Sequence, residues 1–275
     1  MAITLEQVRR ESGATTDLYS DADINSLIST YPERAYNHFK IKVTPTDKIE
    51  YVRNYNINDI KVNEQKIMSL KSVFINGSER ELNTFTFDSD ISKIQTRREY
   101  DRTWVSLFPK NEPYRVKVKY SYAMLVSSGT TTESSAAITS GDSVAISVED
   151  ASSFEVGDYI RIQGFDGNNE VAKVTATDTE EITVDKLLLP HESGSVIEKL
   201  EVPKAIENYI LYDICYTIAN YIVGDTSNLP TSVTNEGMSA TIGVAYTHWS
   251  NARDSFKVQR DKYESDIWAL KTTIL

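Results

Sequence analysis

The sequence predicts an α+β fold: helices at both ends of the chain, a central β-sandwich-like region, and an inserted small β-barrel. Three observations predict it. Apolar residues recur at helical spacing near both ends, strand-like alternation fills residues 41–126, and short strand-like runs crowd into residues 143–200. With 275 residues the chain holds one large domain or two to three small ones, with at least one sizeable core.

Residues 1–40 read as helices. Thr4 followed by Gln7 is a capping-box spacing, so a short helix starts there and stops at Gly13. Ser20 or Asp21 then caps a second helix carrying Ile24, Leu27, Ile28 and Tyr31 on one face. Pro32 either kinks that helix or opens the next turn.

Residues 41–126 form the β domain. "YRVKVKYSYAML" puts Tyr114, Val116, Val118, Tyr120, Tyr122 and Met124 on one side, with Arg115, Lys117 and Lys119 on the other. Asn76-Gly77 is a hairpin-turn pair, and "TFTFD" and "TWVSLFP" supply further strands. The Ser/Thr/Gly-rich run at 127–142 reads as a linker. Beyond it, residues 143–200 hold "VAISV", "DYIRI", "EVAKVTA", "EITVD" and "SVIEKL", a density of short strands that suits a small barrel.

Helical texture resumes at 201–275. Pro203 stands at a first helical position and Gly224 at a C-terminal cap. Between that helix and a last amphipathic one, the run from Met238 to Tyr246 alternates like a strand. A lone strand leaves its backbone groups unpaired, so Met238 to Val244 is expected to pair with another β element, in this chain or a neighbouring one. The final helix spaces Trp249, Ala252, Phe256, Tyr263, Ile267 and Leu270 nearly as a heptad seam, interrupted at Gln259. That seam fits the Pro203 helix, a second copy or another protein.

The formal charge of −11 is concentrated: residues 142–201 hold 14 acidic side chains against 4 basic, while the rest of the chain has 26 against 25. Such an acidic segment argues against wrapping nucleic acid, whose non-specific binding rests on Lys and Arg. One cysteine, Cys215, excludes an internal disulfide and a cysteine-based zinc site. "MAITLEQVRR" lacks the apolar core of a signal peptide, and "YILYDICYTIANYIVG" is too short to span a bilayer, so a soluble protein is expected.

Chemistry-bearing patterns are sparse. His38, His191 and His248 are isolated from other ligand types. Ser193 and Ser195 near His191 are the composition of a turn more than the geometry of a triad. "DGNNE", Asp166 to Glu170, alternates oxygen donors as a calcium site would, and equally reads as a tight hairpin turn. Arg115, Lys117 and Lys119 either touch phosphate or form an ordinary solvated strand face. No catalytic, cofactor-binding or metal-binding residue is assigned, and the chain is not expected to be an enzyme.

Two N-terminal helices, "EVPKAIENYILYDICYTIANYI", "TNEGMSATIG" and a long amphipathic last helix together resemble the head–tail connector (adaptor) proteins of tailed viruses. The resemblance lies in about a hundred residues at the two ends of the chain and implies a helical connector scaffold. It also implies a virion protein at the head–tail interface, assembled in the host cytoplasm as a dodecameric ring that joins the portal to the tail. DNA would pass through the ring without specific binding, and the partners would be other copies, the portal and a tail or head-completion protein. The partner-binding residues so implied are Met238, Ala240, Ile242 and Val244 on the strand, and Trp249, Phe256, Tyr263, Ile267, Trp268 and Leu270 on the last helix. Trp268 lies outside the seam and is either an interface anchor or an internal packing residue. The competing expectation is a baseplate or fibre component whose acidic β module binds glycan or calcium.

Overall fold

The computed structural model describes residues 3–54, 60–64, 66–88, 93–96, 114–164, 169–226, 233–235, 238–240 and 243–272. It is mixed α+β and divides into two compact units: Lys42–Val202, and Met1–Ile41 together with Pro203–Thr273.

Among the described residues, the first part of the β unit contains seven strands: β1 (Thr46–Asn54), β2 (Ile60–Lys61), β3 (Ile67–Ile75), β4 (Ser78–Arg80), β5 (Phe85–Asp88), β6 (Lys93–Thr96) and β7 (Tyr114–Tyr122). They form a four-stranded antiparallel sheet in the order β1-β7-β3-β4 and a three-stranded sheet in the order β2-β6-β5. Ile60, Phe85 and Ile94 of the smaller sheet share one buried cluster with Val73, Ile75, Val116, Val118 and Tyr120 of the larger. Alternation along β7 explains this: one side chain in two points inward, and those are the apolar ones. Asn76 and Gly77 join β3 to β4 with φ of 50° and 89°. Both central residues are therefore left-handed, as a tight hairpin with the right twist demands. The expected strand "TWVSLFP" lies outside the described residues.

The second part holds β8 (Val126–Glu133), β9 (Gly141–Ser147), β10 (Tyr159–Gln163), β11 (Asn169–Asp178), β12 (Glu181–Leu187) and β13 (Val196–Glu201). Their order is β8-β13-β10-β11-β12-β9, all antiparallel. Two expectations are corrected here. Residues 127–142 are not a linker: Val126–Glu133 is an end strand, laddered to β13, because hydroxyl side chains suit a half-solvated strand as well as a flexible tether. Nor is the unit a closed barrel of five strands. Six strands form an open array whose end strands, β8 and β9, share no ladder and are joined by the isolated bridge Ser134↔Val148 and the Asp150 N–H to Thr132 Oγ1 bond. Its inward faces bury Val144, Ile146, Ile160, Ile162, Val174, Ile182, Val184 and Ile197.

The helical unit is built from both ends of the chain. Helix α1 (Leu5–Ser12) is capped by Thr4, whose Oγ1 accepts the Gln7 N–H at 3.1 Å, and it ends at left-handed Gly13. Helix α2 (Asp21–Phe39) is capped by Ser20 and contains Pro32 within its length, so the proline does not open a new helix. Helix α3 (Lys204–Thr226) begins just after Pro203. It does not stop at Gly224, because burial of Ile222 and Val223 outweighs the roughly 1 kcal/mol that a helical glycine costs. Helix α4 (Gly243–Thr272) is 30 residues long.

Between α3 and α4, β14 (Val233–Asn235) pairs antiparallel with β15 (Met238–Ala240), Val233 opposite Ala240 and Asn235 opposite Met238. The β partner of Met238–Ala240 thus lies within the chain. The expected strand does not continue to Val244 or Tyr246, since both are in α4. Small and β-branched residues at alternate positions also satisfy the helical spacing that leads to Trp249, and a helix needs no partner for its backbone groups.

Candidate functional site

The surface to be tested is the α3–α4 hairpin and the short strands at its tip. Tyr212 of α3 stacks on Tyr263 of α4 at 5.7 Å and 10°, with the Phe256 ring 6.4 Å away. Trp249 and Ile267 are buried. Much of the heptad-like seam therefore packs inside the helical unit, with Tyr212 meeting both Phe256 and Tyr263. Trp249 and Ile267 are core side chains, while Phe256 and Tyr263 are half-buried against Tyr212 and keep part of their surface in solvent.

Trp268 keeps both of the roles the sequence left open. Its ring packs edge-on against Phe39 of α2 at 5.7 Å, and the residue is still 41% exposed. Leu270 is 38% exposed. These two remain as apolar contact residues on the last turns of α4. Met238 and Ala240 lie in the hairpin strand, Val244 lies in the first turn of α4, and Ile242 lies outside the described residues.

Polar contacts tie the helices α2, α3 and α4 together. The Arg260 Nη1 donates to Asp213 Oδ1 at 3.3 Å, its guanidinium also lies over the Tyr216 ring at 4.8 Å, and Asp261 takes the other side of the fork. His38 Nε2 meets Glu264 Oε1 at 3.1 Å, and the Tyr31 and Thr217 hydroxyls meet at 2.6 Å. Burial, then the Asp213 and Glu264 carboxylates, push the Tyr209 phenol up to about 12. Cys215 is buried in α3, and burial followed by Glu11 pushes its thiol up to about 12, so it stays a protonated packing group.

The turn around His191 has no triad geometry. Ser195 donates its hydroxyl to the Glu192 carbonyl at 2.7 Å, and Ser193 donates to the Ser135 carbonyl at 3.2 Å. Of the "DGNNE" run, read as either a calcium site or a hairpin turn, Asp166 to Asn168 lie outside the described residues. Both Glu170 oxygens accept backbone N–H groups, from Leu188 at 2.6 Å and Leu189 at 3.1 Å. Among the described residues no cluster of three or more His, Cys, Asp or Glu side chains is placed to hold a metal, and no helix is long and apolar enough to cross a membrane.

One buried network escaped the sequence reading. The Tyr120 hydroxyl donates to Glu50 Oε1 at 2.6 Å, the Asn63 N–H donates to Oε2 at 3.0 Å, and the Lys48 ammonium bridges Glu50 and Glu64. Burial alone would raise the Glu50 carboxyl, but these donors hold it below the ordinary carboxylate range. The signal was present in the alternation, since Lys48 and Glu50 share the inward-facing parity of Val52 in β1.

No protein-family model matches the chain, and no curated protein matches it. The functional reading therefore rests on architecture and surface.

Proposed function

We propose that this protein is a structural virion component, a head–tail connector whose copies form a ring between portal and tail. The observation that carries the reading is the way the chain is threaded. Its two ends make one helical unit, α1 and α2 from the N-terminal part and α3 and α4 from the C-terminal part, while Lys42–Val202 is an excursion between them. A long helical hairpin with short strands at its tip is the part that resembles the adaptors. Ring closure needs two different faces on each copy, and portal docking needs an exposed anchor. Trp268 and Leu270 supply apolar anchor surface near the end of α4. The ring's conduit would pass DNA without holding it, and the acidic segment at 142–201 repels a polyanion.

The test is capture of the full-length protein by an immobilised portal protein from a tailed virus in which it is encoded. Trp268→Ala with Leu270→Ser should weaken capture about tenfold or more, as loss of an interface anchor does. Undiminished capture by the double variant removes these residues from the interface.

A further inference from the structure

We infer that the outer face of the four-stranded sheet binds a single strand of nucleic acid, its phosphates held by Arg53, Arg115 and Lys117 and its bases stacked on Tyr51 and Phe74. The inward side chains of β1, β7 and β3 build the core, so their alternates share the opposite face, on which Tyr51, Arg53 and Arg115 are exposed and Phe74 and Lys117 half-exposed. Register sets that face in rows. Tyr51 stands opposite Lys117, and Lys117 stands opposite Phe74, giving an aromatic–cation–aromatic row across three strands. The Lys117 ammonium lies 5.0 Å from the centre of the Phe74 ring, and Tyr51 is 79% exposed. In the next row Arg53 stands directly opposite Arg115.

Two features of this face ask for a ligand. Like charges directly opposite each other destabilise a sheet. Among the described residues no carboxylate pairs with Arg53, Arg115 or Lys117, whereas Lys119 one row away is paired with Asp47. An anion seated between the arginines would relieve that repulsion. The same side chains line an open depression of about 670 Å3, a size that suits a nucleotide unit.

The chemistry then selects the ligand. Arginine and lysine take phosphate, and the exposed Tyr51 ring, with the half-buried Phe74 ring in the same row, takes the face of a base, which a duplex hides and a single strand offers. The net negative charge of the chain is no obstacle, because it is carried by residues 142–201 and not by β1, β3 or β7.

The test is fluorescence anisotropy of a labelled oligothymidylate of about twelve nucleotides with the full chain at about 50 mM salt. Binding should weaken as salt rises, and a duplex of equal length or thymidine monophosphate should compete poorly. Tyr51→Ala, at an exposed position, should lower affinity about tenfold. Arg53→Ser with Arg115→Ser should reduce the slope of log affinity against log salt by about 1.4. Lys173→Ser on β11 should change neither. No strand binding, equal competition by duplex or monophosphate, or indifference to Tyr51→Ala overturns the inference. If the wild type instead self-associates in a salt-sensitive way that the arginine variants abolish, the face belongs to a second copy of the chain.

Discussion

Val126 and Glu201 stand opposite each other, at the first residue of β8 and the last residue of β13. The chain thus enters and leaves the six-stranded sheet on neighbouring strands, only about 5 Å apart. This sheet also has a core cluster separate from that of the preceding strands. Replacing residues 127–200 by a short Gly/Ser link should leave a cooperatively folded protein with the oligomeric mass of the parent. Loss of the helical signal or of cooperative unfolding on heating would show that the sheet is integral to the rest.

Arg260 should be a stability determinant of the helical hairpin. Its removal leaves the buried Asp213 carboxylate without its cation and uncovers the Tyr216 ring. Breaking a buried pair costs roughly 3–5 kcal/mol, but the Arg260 side chain is partly solvated, so Arg260→Ala should cost about 2 kcal/mol. Urea unfolding at unchanged slope checks this, and a loss under about 0.5 kcal/mol would contradict it.

Acid should weaken the β unit through Glu50. Its folded carboxyl titrates below its ordinary 4.5, so the unfolded chain takes up the proton first. The stabilisation is complete above that value and is lost as pH falls through the folded one. Glu50→Gln should flatten the fall in melting temperature below about pH 4.5. Tyr120→Phe, which removes a donor to a buried carboxylate, should cost about 1.5–3 kcal/mol at neutral pH. An unchanged acid profile in Glu50→Gln would refute the role given to this network.

His191 should be replaceable. Its side chain is buried, neither ring nitrogen has a hydrogen-bond partner among the described residues, and its Nε2 stands 3.6 Å from Glu170, beyond a good hydrogen bond. An unsatisfied buried polar group costs about 1–3 kcal/mol, so His191→Phe should be neutral or stabilising. A drop in melting temperature of several degrees would mean that the imidazole has a partner.

Local signals carried much of the architecture. Thr4, Ser20 and Pro203 mark helix starts, and Asn76-Gly77 marks its hairpin, because each acts through bonds within a few residues. Signals that depend on distant neighbours were ambiguous. The hydroxyl-rich run at Val126–Glu133 is a strand only because β13 lies beside it, and Val244 is helical although its neighbours alternate. The candidate surface was legible as composition and not as exposure. Ile267 and Trp268 are adjacent in sequence, yet one is 1% exposed and the other 41%, and only the placement of α4 against α2 and α3 separates them. The aromatic–cation row was hidden for the same reason, since Tyr51, Lys117 and Phe74 come together through strand register alone.

The mass of the purified full-length protein in solution, measured alone and after mixing with its cognate portal, tests the central claim most directly. The account predicts either a closed ring on its own or a monomer that assembles into a ring on the portal. A monomer or trimer that ignores the portal would contradict it.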